Sequence, residues 1–201
     1  MAQLSRMRIH GYFARGDSAI TTKGKGDALE DLIVYLFEQV PGMTALSRNQ
    51  RNPFGTEEID IAFWNDRLPA RLYFLPDTIL VECKNWSHPV DYNTLVGFDA
   101  KLRSRAQSLG ILVAASGITG SPTFSSDAYS VVTNALAQQR RLIVITRAEI
   151  EAMAQTADIV LLFTQFSPEV GAARGSRRGR RWAIPEQDRA TDASVLGGPS
   201  S

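Results

Sequence analysis

The chain has 201 residues, 44% of them hydrophobic and 21% charged, with a formal net charge of +1. That length suits one domain with a sizeable core and is short for two, and the composition excludes fibrous and wholly disordered classes. A single cysteine, Cys83, excludes an internal disulfide and a cysteine-rich zinc site, so any metal chemistry must use oxygen ligands.

No stretch approaches the roughly 20 apolar residues of a membrane span, so a cytoplasmic protein with no membrane partner is expected. The small net charge hides an uneven spread. Arg6, Arg8, Arg15, Lys23 and Lys25 crowd the first segment, and Arg174, Arg177, Arg178, Arg180 and Arg181 crowd the last. The expected layout is a basic N-terminal arm (1–22), one folded domain (23–168) and a disordered, arginine-rich tail (169–201) of Gly, Ser, Arg and Pro with no apolar period.

Within the domain, Leu29, Leu32, Ile33, Leu36, Phe37 and Val40 recur at helical spacing, which predicts a helix over 27–40 stopped by Pro41-Gly42. Two β-like runs follow at 44–50 and 57–64, the second with Ile59, Ile61 and Phe63 on one face and Glu58 and Asp60 on the other. A turn at 65–69 leads to a further strand over 70–75 and then to TILVECK at 78–84. A helix over 92–109, a buried strand over 110–115, a loop at 116–123, a helix over 124–139 and a strand over 141–146 complete the sheet. One or two helices over 148–166 close the domain. An initial helix, an antiparallel group and then crossovers make an α/β fold with a mixed central sheet flanked by helices.

In TILVECKNW, Glu82 and Lys84 lie two apart on a strand and leave the same face, while Ile79, Val81 and Cys83 point the other way. A carboxylate and an ammonium on an otherwise apolar central strand are costly to bury without compensation. If the two strands are neighbours, Asp60 sits beside Glu82, and converging carboxylates with an open side suit a hard cation such as Mg²⁺. Lys84 would orient an attacking water or stabilise developing charge, and near a cation in a partly dry site its pKa would fall. Glu30 lies at the border of the first helix's apolar face, where a third carboxylate would bind a metal-coordinated water or a second metal.

The order helix-Glu30, strand-Asp60, strand-Glu82-Cys83-Lys84 resembles the PD-(D/E)XK nuclease superfamily. The run GFDAKLRSRAQSLGILVAASGITG after it is similar to the restriction endonuclease domain of the Mrr-like group, over about residues 24–149. The resemblance implies a restriction-endonuclease-like single domain, Mg²⁺-dependent phosphodiester hydrolysis (Mn²⁺ able to substitute) and DNA rather than RNA as partner, in host defence or DNA processing. It implies Glu30, Asp60, Glu82 and Lys84 as catalytic residues, with Asp60, Glu82 and Glu30 as metal ligands. Mrr-like enzymes commonly carry a separate recognition domain, so target choice is expected from a protein partner or the tails, and a homodimer would supply the two sites that double-strand cutting takes. A partner- or ligand-gated defence effector and a silent nucleic-acid-binding subunit on the same fold stay open.

Bland readings stand beside these. Glu82 and Lys84 could form a structural ion pair, Glu58 could replace Asp60 as the acid, and Glu30 could be solvated. Asp77 lies on the other face of its strand from Glu82. Cys83 reads as a small core hydrophobe, and His10 and His88 lack partners at metal spacing. Trp86 and Tyr92 could stack on bases but suit core or rim packing better. Lys23 and Lys25, the backbone of Gly24 and Gly26, and Ser116 with Gly117 are the candidates for phosphate contacts.

Overall fold

A computed structural model describes residues 2–51, 58–69 and 72–164. The expected 169–201 tail lies outside the described residues. In chain order the elements are α1 (Arg6–Ser18), α2 (Thr22–Glu38), β1 (Met43–Arg51), β2 (Glu58–Asn65), β3 (Thr78–Lys84), α3 (Tyr92–Ser104), β4 (Leu109–Ala114), α4 (Ala128–Ala137), β5 (Arg141–Ile145), α5 (Arg147–Glu151) and α6 (Thr156–Thr164). The five strands lie in the sheet in their sequence order: β1, β2 and β3 are antiparallel, whereas β3, β4 and β5 are parallel. This is the mixed sheet flanked by helices that the pattern predicts. Among the described residues no helix is long and apolar enough to cross a membrane.

Each face of the sheet has its own core. On one, Ile61, Phe63, Ile79, Val81, Ile111, Val113, Ile143 and Ile145 pack against the apolar stripe of α2 and against Phe163 of α6. On the other, Leu80, Leu112, Leu142 and Val144 meet Leu95, Phe98 and Leu102 of α3 and Val131 of α4. β4 is buried along its whole length because helices cover both faces, which is why its sequence is a continuous apolar run.

Several boundaries differ from the sequence expectation. α2 begins at Thr22, five residues before the predicted start, because the Thr21 hydroxyl accepts the Gly24 N–H at 3.0 Å and caps the helix there. Residues 1–22, expected as an arm, contain α1, and Leu4, Ile9 and Phe13 are buried in the α2-side core. Leu4 N–H also bonds to Ala154 O at 2.9 Å, so this segment is tied to the α5–α6 connection. The strand expected at 70–75 is not formed among the described residues of that stretch: Leu72 and Leu75 plug the core from a turn closed by Leu75 N–H to Leu72 O at 3.0 Å. Buried Asn65 donates to Leu72 O at 2.9 Å and holds that turn against the end of β2. α3 stops at Ser104, earlier than the predicted 109, and α4 spans only Ala128–Ala137 of the predicted 124–139.

Candidate active site

β2 and β3 pair from Trp64–Thr78 to Ile61–Val81, and their ladder ends there. One residue further on, Asp60 and Glu82 face each other across the opening fork. The expected alternation on β2 holds for Ile61 and Phe63, but Ile59 is buried in the α3-side core, so the strand turns over at Asp60. Asp60 Oδ2 accepts the backbone N–H of Cys83 at 2.7 Å, a side chain satisfying a strand amide that the departing strand no longer reaches.

On β3, Glu82 and Lys84 do leave one face, the one covered by α3. Glu82 is 5% exposed, and Lys84 Nζ donates to its Oε1 at 2.7 Å. A second lysine completes the arrangement. Lys101, from α3, donates to Glu82 Oε1 at 3.0 Å and Oε2 at 2.8 Å. Sequence reasoning passed over it, although the signal was present: Lys101 stands between buried Phe98 and Leu102 at the border of the helix's apolar face, the same position that singled out Glu30.

α3 packs closely on β4 at Gly110. A Cβ built on Gly110 would come within 2.5 Å of Leu102 Cδ1 and 2.9 Å of Phe98 Cζ, so any side chain there would force these two buried residues to shift. Asp99, on the same helix, is buried in a bidentate pair with Arg140 at 2.9 and 3.1 Å, which fixes α3 against the segment leading into β5.

Glu30 arrives from α2 on the opposite side of the sheet and is 6% exposed, so it is not solvated. Its Oε2 accepts from Arg48 at 3.1 Å and from Asn49 at 3.2 Å, both on β1. Arg48 also bonds Asp31, which in turn pairs with Arg15 of α1. The start of α2 is tied to the end of β3 by Asn85 Nδ2, which donates to Lys25 O at 3.0 Å.

The electrostatics follow from this crowding. Burial, then the charge of Glu82, pushes the Asp60 carboxyl up to about 6 from its ordinary 3.8, against the Cys83 N–H and Lys84, which pull it down. Burial works to lower the Lys84 pKa, but Glu82 and Asp60 outweigh burial and hold it above its ordinary value. Burial raises the Cys83 thiol well above its usual range, and the neighbouring carboxylates add to that, which suits a core residue and not a nucleophile.

The structure thus joins Asp60, Glu82 and Lys84 directly and brings Glu30 near enough to act on Asp60 through its charge. It does not assemble Glu30, Asp60 and Glu82 as one ligand set: among the described residues no group of three His, Cys, Asp or Glu side chains is placed to hold a metal ion. The reason is local, because Glu82 is held by two lysines and Glu30 by Arg48 and Asn49. The donor chemistry nevertheless fits a hard cation. Two carboxylates forced together in a half-dry fork, one with a raised pKa, are what a bound divalent ion would relieve.

The weaker candidates lie apart from this cluster. Lys23 is 78% exposed and pairs with Asp27 at 2.6 Å. Lys25 is exposed. The Gly24 amide is taken by the Thr21 cap, and Gly24 and Gly26 are inside α2, so the idea of an amide cradle before that helix is corrected. Ser116 is exposed, with its hydroxyl donating to Trp86 O at 2.7 Å. Trp86 packs against the α3-side core, with Lys84 Nζ 5.8 Å from its ring centre, while Tyr92 is 44% exposed. Glu58 pairs with Arg51 of β1 at 3.2 Å.

Residues 22–154 match the sequence model of the restriction endonuclease family Mrr_cat. The chain belongs to this family of restriction endonucleases. The match runs from the first residue of α2 to the connection after α5, and so includes every residue of the fork and both lysines. Family membership supports a nuclease-type function in general and a nucleic acid as partner. A search of curated proteins found no match.

Proposed function

We propose that this Mrr-family chain is a metal-dependent endonuclease that hydrolyses phosphodiester bonds in DNA, in host defence or DNA processing. The observation that carries the reading is the Asp60 carboxyl, raised to about 6 beside Glu82 at the fork of β2 and β3. A protein keeps a charge pair this unfavourable where something else draws on it, and perturbed carboxylates in a cleft mark functional sites.

Asp60 and Glu82 would hold Mg²⁺, with Mn²⁺ able to substitute, and Glu30 would support the site from α2 through a coordinated water or a second ion. When bound, the ion would neutralise phosphate charge and lower the pKa of a water molecule. Lys84 would orient the nucleophilic water or stabilise the developing negative charge as an ammonium. Lys23, Lys25 and Ser116 are proposed as outlying phosphate contacts. DNA is favoured over RNA, and a homodimer would supply two sites for double-strand cutting.

The test is incubation of the purified chain and its Asp60→Asn variant with supercoiled plasmid, linear DNA and RNA, in Mg²⁺, Mn²⁺ or EDTA. Metal-dependent cutting of DNA by the wild type alone is expected. Equal cutting by the variant, or cutting that survives EDTA, would sink the assignment. A gated nuclease is the second reading, favoured by the two ammonium groups on Glu82; it predicts cutting only after a partner that recognises the target, or another activating ligand, is added.

A further inference from the structure

Lys101 has no assigned part in the reading above, yet it makes the fullest contact in the fork. Lys84 reaches one oxygen of Glu82, whereas Lys101 reaches both. Three of the roughly four acceptor sites of that carboxylate are therefore taken, each by a positive charge. A cation approaching either oxygen meets an ammonium group already within bonding distance.

Charge matching indicates when the ammonium leaves. Asp60, Glu82, Glu30 and Asp31 stand against Lys84, Lys101, Arg48 and Arg15, so opposite charges are matched one for one. A divalent ion added alone would relieve the Asp60–Glu82 repulsion only by displacing an ammonium that then lacks a carboxylate partner in a poorly hydrated place. A nucleic-acid phosphate brings the missing negative charge and a new acceptor for the displaced ammonium. Lys101 can make that exchange without being dragged through the core: its side chain is 21% exposed, comparable with Lys84 at 20%.

We propose that Lys101 is a positioning residue that couples cation binding to nucleic-acid binding, holding both oxygens of Glu82 in the free protein and yielding them when a backbone phosphate draws its ammonium away. The inference rests on the nuclease reading and adds to it a route by which substrate loads the metal. Linkage makes the effect reciprocal, so the cation must tighten nucleic-acid binding by the same factor.

The experiment measures Mn²⁺ affinity from the signal of the free ion, with and without a cleavage-resistant phosphorothioate duplex that keeps its backbone charge. The full chain is compared with Lys101→Met and Lys101→Arg, and thermal melts in EDTA check folding. For the wild type, the duplex should tighten Mn²⁺ binding roughly tenfold, the scale of one hydrogen bond to a charged group. Lys101→Met should bind Mn²⁺ roughly tenfold more tightly than wild type without duplex, and gain less than about threefold from it. Lys101→Arg, which keeps the charge and the paired donors, should behave as wild type.

Wild-type affinity in Lys101→Met, or a full duplex effect retained there, overturns the proposal while leaving the nuclease reading intact. A wild type whose Mn²⁺ affinity ignores the duplex also overturns it, whether or not the variant folds. Absence of Mn²⁺ binding in every form would bring down the nuclease reading together with this inference.

Discussion

Asp60 Oδ2 accepts the N–H of Cys83 at 2.7 Å, so the carboxylate that faces Glu82 is also the group that finishes the hydrogen bonding of β3 where β2 leaves it. The acid is thereby anchored by one oxygen, and its position does not depend on a metal. Anchoring it this close to Glu82 costs stability, and that cost is measurable.

Asp60→Asn should stabilise the metal-free protein at pH 7.5. A carboxyl with a folded pKa of about 6 and an ordinary value of 3.8 binds its proton more tightly in the folded chain. The stability it contributes is complete below the lower value and is lost as pH rises through the upper one. A gain on the order of 2–3 kcal/mol is expected at pH 7.5, shrinking to nothing near pH 4, because the asparagine oxygen can still accept from Cys83. Melts in EDTA across this range check it; a variant less stable than wild type at pH 7.5 contradicts the assigned cause. Excess Mn²⁺ should raise the wild-type melting temperature and leave the variant's unchanged.

Glu82→Ala removes the common partner of two lysines. The ammonium groups of Lys84 and Lys101 remain partly exposed and can turn toward water, so the loss is moderated to on the order of 2 kcal/mol. Urea unfolding should therefore show a weakened but folded protein with no cleavage. A loss no larger than that of an ordinary surface substitution would mean the lysines do not depend on Glu82.

Gly110→Ala tests the approach of α3. The added methyl meets Leu102 and Phe98 at under 3 Å, and both are buried. Overpacking should cost about 1–3 kcal/mol and move Lys101 relative to Glu82, so cleavage should fall even at temperatures where the variant is fully folded. Full activity in a destabilised variant would show that the helix shifts without disturbing the site.

Glu30→Gln keeps the shape and lets an amide oxygen accept from Arg48 and Asn49. Loss of charge there should lower cleavage roughly 10- to 100-fold, the scale of supporting groups around a metal, while the melting temperature in EDTA changes little. Unaltered cleavage would reduce Glu30 to a structural partner of β1.

Much of the site was legible locally. Period-two spacing in TILVECK is enough to put Glu82 beside Lys84, and the helical stripe from Leu29 to Val40 puts Glu30 at the border of a buried face. Both follow from backbone geometry that each segment carries alone. Helix and strand ends were less legible, because a single side-chain cap such as Thr21 sets where α2 begins, and because Leu72 and Leu75 are apolar for the sake of a plug and not of a strand.

Apart from α1 and the turn at 72–75, the sequence by itself determined the order of elements, and with it the mixed sheet and the shared face of Glu82 and Lys84, since these rest on periodicity within short segments. Only the tertiary structure decided that Lys101 holds Glu82, that Arg48 and Asn49 hold Glu30, and that Asp60 carries a raised pKa. Those outcomes depend on how closely α3 packs at Gly110 and on where β2 parts from β3. Such distances are set by side chains far apart in the chain, and no local pattern encodes them.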